Sequence, residues 1–269
     1  MPYYLFLTFI FIFGAIIGSF LNCLIWRLYT GESMWNRSHC PKCKKQIAWY
    51  DNIPILSFVL LKGKCRNCHR PISWQYPAVE IITGLLFTLA VYLNFQFPIS
   101  NFHPEDSGQN FKFLLLLARD WFLISVMIII FIYDLRWYLI LDIITLPAAA
   151  ILLAMNLMLG YSWQSLLFSA IIGSSFFLIQ FVVSKGKWIG GGDIRLGLLM
   201  GLALGWPDAL AAIFLAYFIG SIAGLGLIAF KRKKWGSEIP LGVFLSLGAV
   251  ITLFWGDIIL NWYLNIFKF

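Results

Sequence analysis

Long apolar runs, broken by short polar stretches, organise this chain. They fall at about residues 4 to 26, 78 to 97, 113 to 133, 139 to 159, 164 to 184, 194 to 206, 209 to 230 and 240 to 263. Most reach the ~20 residues that a helix needs to cross hydrocarbon. The run at 194 to 206 does not: at ~1.5 Å per residue it covers about 20 Å of a ~30 Å core, so it must borrow flanking residues or sit in a thinned, wet region. The first run stays uncharged from residue 3 to 26, longer than a signal-peptide core, and no small-residue cleavage pattern follows it. It reads as the first span rather than a signal peptide. The pattern predicts an all-α polytopic membrane bundle of about eight spans.

Composition agrees. Of 269 residues, 61% are hydrophobic and only 12% charged, too few to cover a water-soluble globule of this size. A net charge of +8 could suggest nucleic acid, but the basic residues are spread over short loops, where positive charge sets membrane orientation, and no nucleic-acid partner is expected. With the N-terminus outside, seventeen of twenty lysines and arginines fall in inside loops, and only Lys112, Arg119 and Lys268 fall outside. Eight spans therefore satisfy the positive-inside rule. The same count puts Asp134 and Asp193 at the cytoplasmic edge. The only sizeable aqueous part is the loop at about 28 to 76, read as a cytoplasmic subdomain between spans one and two. No internal repeat is visible, and the run Lys231 to Lys234 reads as an interfacial anchor.

That loop holds Cys40-Pro41-Lys42-Cys43 and Cys65-Arg66-Asn67-Cys68, two CxxC pairs with 21 residues between them. Two thiolates from each turn can complete a tetrahedron, so Cys40, Cys43, Cys65 and Cys68 are expected to hold a structural zinc ion. Lys42, Lys44, Lys45, Lys64 and Arg66 would partly offset the charge of such a site. A subdomain of under fifty residues has little core, so metal would supply much of its folding energy. Disulfides are the competing reading, disfavoured by a reducing cytoplasm. A catalytic zinc would need an open position that four thiolates do not leave. His39 and His69 read as loop residues.

A carboxylate bordering an apolar run is costly, and so by default a functional candidate. Asp134 closes one run and Asp142 lies eight residues on, about two turns away and on roughly one face if the segment is helical. Asp134 is the better catalytic candidate, with Asp142 in support; the alternative is that Asp134 and Arg136 mark an interfacial turn. Asp193 follows Gly190, Gly191 and Gly192, a stretch without side chains that another backbone or an extended substrate could approach closely. Alone the triplet could be a flexible loop; a phosphate cradle is disfavoured by the acid that follows. Two carboxylates close together cannot both ionise cheaply, so one can take a proton from water while the other donates to a scissile carbonyl.

Asp134 and Asp142, the Gly190 to Leu196 run and the paired CxxC loop together resemble the type IV prepilin peptidase family of GxGD membrane aspartic proteases. So do Gly18 to Asn22 with Arg27, Asp51 to Ser57, Gly63 to Cys68 and Tyr76 to Glu80, which are similar to that family's long, two-function form. The likeness covers nearly the whole chain. It implies an enzyme that cuts the short basic leader from type IV prepilins or type II secretion pseudopilins after a glycine, at the cytoplasmic face of the bacterial inner membrane. It also implies methylation of the new N-terminus from S-adenosylmethionine. The implied catalytic pair is Asp134 and Asp193.

Departures from the family pattern are Leu141 in place of proline, Arg195 in place of lysine, and Leu241 and Val243 around Gly242 where a Phe-Gly-Pro run is usual. Two parts are expected: residues 1 to 97, with two spans and the zinc loop and the implied methyl-transfer part, and a six-span peptidase core over 113 to 263. Glu80 reads either as part of the methyl-transfer or docking surface or as a favourable helix N-terminal charge. Glu238 reads as a contact for a basic leader or for nearby lysines, and Arg119 with Asp120 as a local pair. The expected partners are membrane lipid and a prepilin or pseudopilin whose apolar N-terminal helix docks against the spans. Rival readings are a GxGD protease with other membrane substrates and a proton-coupled transporter.

Overall fold

A computed structural model describes residues 3–94, 107–230 and 238–266. The basic run Lys231 to Lys234 and Lys268 lie outside them. The described residues are helical, with two isolated β-bridges in the loop. Seven helices are long and apolar enough to cross a membrane. They form two compact units, residues 1–101 and 102–269.

In the first unit, α1 (Tyr3–Thr30) and α3 (Gln75–Asn94) pack together through small residues. A methyl on Gly14 would lie 2.8 Å from Gly84 Cα, and one on Gly18 2.8 Å from Glu80 Cα. Between apolar helices, where water gives no drive to associate, this close approach supplies the attraction. Arg27, buried near the end of α1, donates to the carbonyls of Met34 and Asn36 and ties the start of the loop to the helix. The short α2 (Leu56–Leu60) is tied likewise: the Ile55 N–H donates to Glu80 Oε2 at 2.7 Å. Glu80 therefore fastens the loop to α3.

The loop contains a repeat, which corrects the sequence reading. Cys40 N–H donates to Lys45 O and Lys44 N–H to Cys40 O; Cys65 N–H donates to Arg70 O and His69 N–H to Cys65 O, all at 2.9 Å. Lys44 and His69 both take left-handed φ, 58° and 55°. Bridges pair His39 with Gln46 and Lys64 with Pro71. The two turns share both cysteines and the Ile and Trp that follow, Ile47 with Ile72 and Trp49 with Trp74, so the backbone pattern repeats together with these side chains.

The second unit runs α4 (Ser107–Trp137), α5 (Asp142–Leu159), α6 (Trp163–Ser184), α7 (Gly191–Leu204), α8 (Asp208–Ala229) and α9 (Leu241–Ile266). The segment from Asp134 to Asp142 is not one helix, contrary to the condition on which both acids would share a face. Tyr138 N–H closes on Asp134 O at 2.9 Å, Tyr138 turns to φ 55°, and α5 begins only at Asp142. Helix α5 ends at Gly160, φ 94°, and α6 opens with the Ser162 hydroxyl accepting the Ser165 N–H.

Helix α7 is the short element, 14 residues, about 21 Å. Its glycines fit it against α6: a methyl on Gly197 would lie 2.6 Å from Gly173 O, and one on Gly201 would overlap the Ala170 backbone. Its terminal carbonyls are met from α5, where buried Asn156 Nδ2 donates to Leu202 O at 2.7 Å and Ala203 O at 3.0 Å. Asn156 Oδ1 accepts from Arg119, which pairs with Asp120 at 2.6 Å. This buried network fixes the end of α7 opposite Asp193. Leu123, Met127, Leu152, Leu199, Met200 and Leu245 fill the core between.

Candidate active site

Asp134 stands in the last turn of α4 and Asp193 in the first turn of α7. Both are buried, at 5% and 7% exposure. Asp193 folds back on its own helix start, its Oδ2 accepting the Gly190 N–H at 2.9 Å. A third element completes the surroundings: the N-terminus of α9 reaches Asp134, whose Oδ2 accepts the Val243 N–H at 3.2 Å. The two carboxyls lie within electrostatic reach of each other.

Ile140, in the turn after α4, packs between two glycines. A methyl on Gly192 would come 2.8 Å from Ile140 Cβ. One on Gly242 would come 2.8 Å from Asp134 Oδ2 and 3.1 Å from Ile140 Cδ1. Gly191 has open space, and a methyl on Gly190 would make only ordinary contacts. Of the glycine triplet, Gly192 alone is required by packing, while Gly190 contributes the N–H that holds Asp193.

Asp142 is an exposed first-turn residue of α5, ion-paired with Arg195 of α7. It therefore ties α5 to α7 at the same end as Asp193. Gly242 and Val243 escaped the sequence reading as site residues; Val243 stood out only as a departure from the family pattern and Gly242 only as the glycine that pattern keeps. A glycine opening an apolar run was the available signal, but which carboxylate that helix start meets is a matter of packing. Tyr217 of α8 stacks near Phe177 and donates to Gln180 Oε1 at 2.9 Å. Phe177 in turn fills the face of Gly197, one turn along α7 from Asp193.

The metal candidate belongs to the first unit. The Sγ atoms of Cys40, Cys43, Cys65 and Cys68 all lie within 4.8 Å of one another, with Cys40 and Cys68 at 3.9 Å. A tetrahedron with metal–sulfur bonds of ~2.3 Å has sulfurs ~3.8 Å apart, so the four can hold one metal ion. Backbone N–H groups of Cys68 and Asn67 bring the Cys65 thiol down to about 7, while burial and the crowding of the other sulfurs push Cys68 up to about 11, so without a cation the four do not all become thiolates together. Arg66 grips Asp51 with two bonds, 2.7 and 2.6 Å, and holds that carboxyl below its usual range. The grip joins the second turn to the segment after the first.

The bacterial peptidase A24 N-terminal domain matches residues 12–95, and the type IV leader peptidase family matches residues 121–225. A prepilin leader peptidase/N-methyltransferase of Aeromonas hydrophila is 31% identical, over 98% of this chain and 96% of its own. The chain belongs to the type IV leader peptidase family. Relatives of the same name, from Bacillus subtilis (strain 168) at 31% and Pseudomonas aeruginosa at 29% identity, cover 96% and 94% of this chain and 98% and 91% of their own. No solved structure matches. The family's match over 121–225 takes in both buried aspartates, and its N-terminal match takes in all four cysteines. The seven long apolar helices make this member a multi-pass membrane protein.

Proposed function

We propose that this protein is a membrane aspartic endopeptidase that removes the basic leader from prepilins or pseudopilins after a glycine, and that it also methylates the new N-terminus. The observation that carries the peptidase reading is that two buried carboxyls, Asp134 of α4 and Asp193 of α7, stand on either side of Ile140, which packs on Gly192 next to Asp193 and on the Gly242 position next to Asp134. The relatives, prepilin leader peptidase/N-methyltransferases by name, support both activities.

The aspartates share one proton. The ionised member takes a proton from water, the resulting nucleophile attacks the scissile carbonyl, and the protonated member donates to the carbonyl oxygen. Collapse of the tetrahedral intermediate breaks the C–N bond, and a proton passes to the leaving amine, so acid and base exchange roles. Backbone N–H groups at Gly190 and Val243 orient the carboxyls before substrate arrives. A prepilin supplies its own apolar helix, whose docking against the spans holds the leader junction at the acids. The Asp142–Arg195 pair steadies the turns beside it.

Zinc is the metal that four cysteine thiolates suit best, and it would hold the loop's two turns together. S-adenosylmethionine is the methyl donor that the resemblance implies. The one buried carboxylate of the first unit among the described residues, Glu80, is engaged by Ile55 and Ser19, so it is not assigned to the donor and no step is routed through it. The positive-inside count supports an inner-membrane protein with a periplasmic N-terminus and the acids on the cytoplasmic side.

The test is leader cleavage by Asp134→Asn and Asp193→Asn proteins reconstituted in liposomes. Each should fall at least a thousandfold while inserting and melting like wild type. Near-normal cleavage by either variant removes the aspartic mechanism.

A further inference from the structure

The loop subdomain exposes an uncommon set of large apolar side chains: Trp35 at 95%, Trp49 and Trp74 at 76%, and Leu56, Val59 and Leu60 of α2 at 50 to 69%. Four ties fix where they sit. Trp74 directly precedes Gln75, the first residue of the span α3, so covalent connection keeps it at the end of that span. Helix α2 is held there too, by the Ile55 N–H on Glu80 of α3 and by Phe58, whose ring lies 4.8 Å from that of Trp74. Trp35 lies between Met34 and Asn36, whose carbonyls Arg27 holds at the end of the span α1. The Ser57 hydroxyl donates to Tyr50 O at 2.9 Å, and the Tyr50 ring meets that of Trp49 at 5.6 Å, which joins Trp49 to α2.

We propose that this face is a membrane-surface anchor: Trp35, Trp49, Trp74 and the α2 residues Leu56, Val59 and Leu60 lie in the headgroup and upper acyl region of the bilayer that α1 and α3 cross. Tryptophan is favoured at that depth, where an apolar ring meets lipid and the indole N–H meets water. Charge selects the lipid. Lys42, Lys44, Lys45, Lys62 and Lys64 are exposed, and among the described residues none of them makes an ion pair, so they hold positive charge in excess of the two negative charges that zinc on four thiolates would carry. Anionic headgroups complement them. The subdomain is thus a monotopic element strung between two spans, resting on lipid rather than projecting into water. This inference does not depend on the peptidase reading.

The test uses full-length protein in nanodiscs, with and without lipid brominated on the upper acyl chain, whose bromines quench nearby tryptophan. The protein has 12 tryptophans, so the signal read is the fluorescence of wild type minus that of a Trp35→Phe, Trp49→Phe, Trp74→Phe variant. Brominated lipid should cut this difference signal by half or more, and phosphatidylglycerol should deepen the cut relative to phosphatidylcholine alone. Trp35→Phe by itself gives the same reading should the triple variant misfold, because Trp35 is almost wholly exposed. A difference signal indifferent to bromine overturns the anchor, as does one that becomes shielded only when prepilin is added, which would make the face a protein-docking surface. Equal quenching with and without phosphatidylglycerol overturns the role given to the lysines.

Discussion

Replacing Gly242 by alanine puts one methyl group against Asp134, the carboxyl proposed as catalytic, without touching its chemistry. The new Cβ would stand 2.8 Å from Asp134 Oδ2, 3.1 Å from Ile140 Cδ1 and 3.2 Å from Asp134 Cγ. Ordinary carbon–oxygen contact begins near 3.4 Å, so Asp134 must retreat by about half an ångström or α9 must shift with it. Either movement strains the Val243 N–H bond to Oδ2. A misplacement of ~1 Å costs ~100-fold in rate, so a shift of half that size predicts a fall in leader-cleavage kcat of about tenfold, ~1.4 kcal/mol of barrier. Overpacking should lower stability by about 1 to 3 kcal/mol. The assay is the initial rate of prepilin cleavage by purified protein in detergent micelles, read beside a thermal melt and the methylation of pre-cleaved pilin. Gly191→Ala is the control, because that position faces open space, and it should cleave within about twofold of wild type. Wild-type cleavage by the Gly242→Ala protein would refute the claim that the start of α9 positions Asp134.

Three further outcomes follow from the same geometry. Asn156→Leu removes the donor to Leu202 O and Ala203 O and the acceptor of Arg119, so it should lower stability by about 1 to 3 kcal/mol, measured as a fall in Tm. Cleavage should fall in parallel, because α7 carries Asp193 at its other end. Asp142→Asn breaks an exposed ion pair with Arg195, worth at most about 1 kcal/mol, and should reduce cleavage only severalfold; complete loss would give Asp142 a chemical role. Serine at Cys40, Cys43, Cys65 and Cys68 should abolish bound zinc by elemental analysis and expose the loop to protease while the helices stay inserted.

The spans and the four cysteines were legible because their signals are local: a run of apolar residues, and thiol spacing within one turn. The same local reading found Asp134 and Asp193 as carboxylates where carboxylates are costly. What it could not supply was the third element of the site. Gly242 and Val243 meet Asp134 across more than a hundred positions of sequence, and nothing in their own neighbourhood says which carboxyl their backbone will face. The break after Asp134 was hidden for a related reason. Tyr138 is an ordinary residue in a left-handed turn, where a glycine would have announced the bend. The loop repeat was in the sequence, as Cys-x-x-Cys-x-x-x-Ile-x-Trp over 40–49 and again over 65–74, but ten-residue copies with six differing positions do not announce a shared backbone.

The length of α7 connects these points. A helix of about 21 Å cannot span ~30 Å of hydrocarbon, so non-helical backbone adjoins it within the membrane's thickness. Hydrocarbon does not tolerate such backbone, and it persists only where protein or water satisfies its polar groups. At the far end protein does so, through Asn156 on two terminal carbonyls. At the near end the Gly190 N–H is met by Asp193 itself, which leaves the second carboxyl oxygen for water or substrate. A full-length span would have carried its acid either out into the aqueous phase, where it gains no selectivity, or into dry lipid, where no water could reach it. On the proposed reading, a short helix, closed by a side chain at one end and by glycines at the other, sets a buried carboxyl at a depth where an apolar substrate helix and hydrolytic water can both arrive.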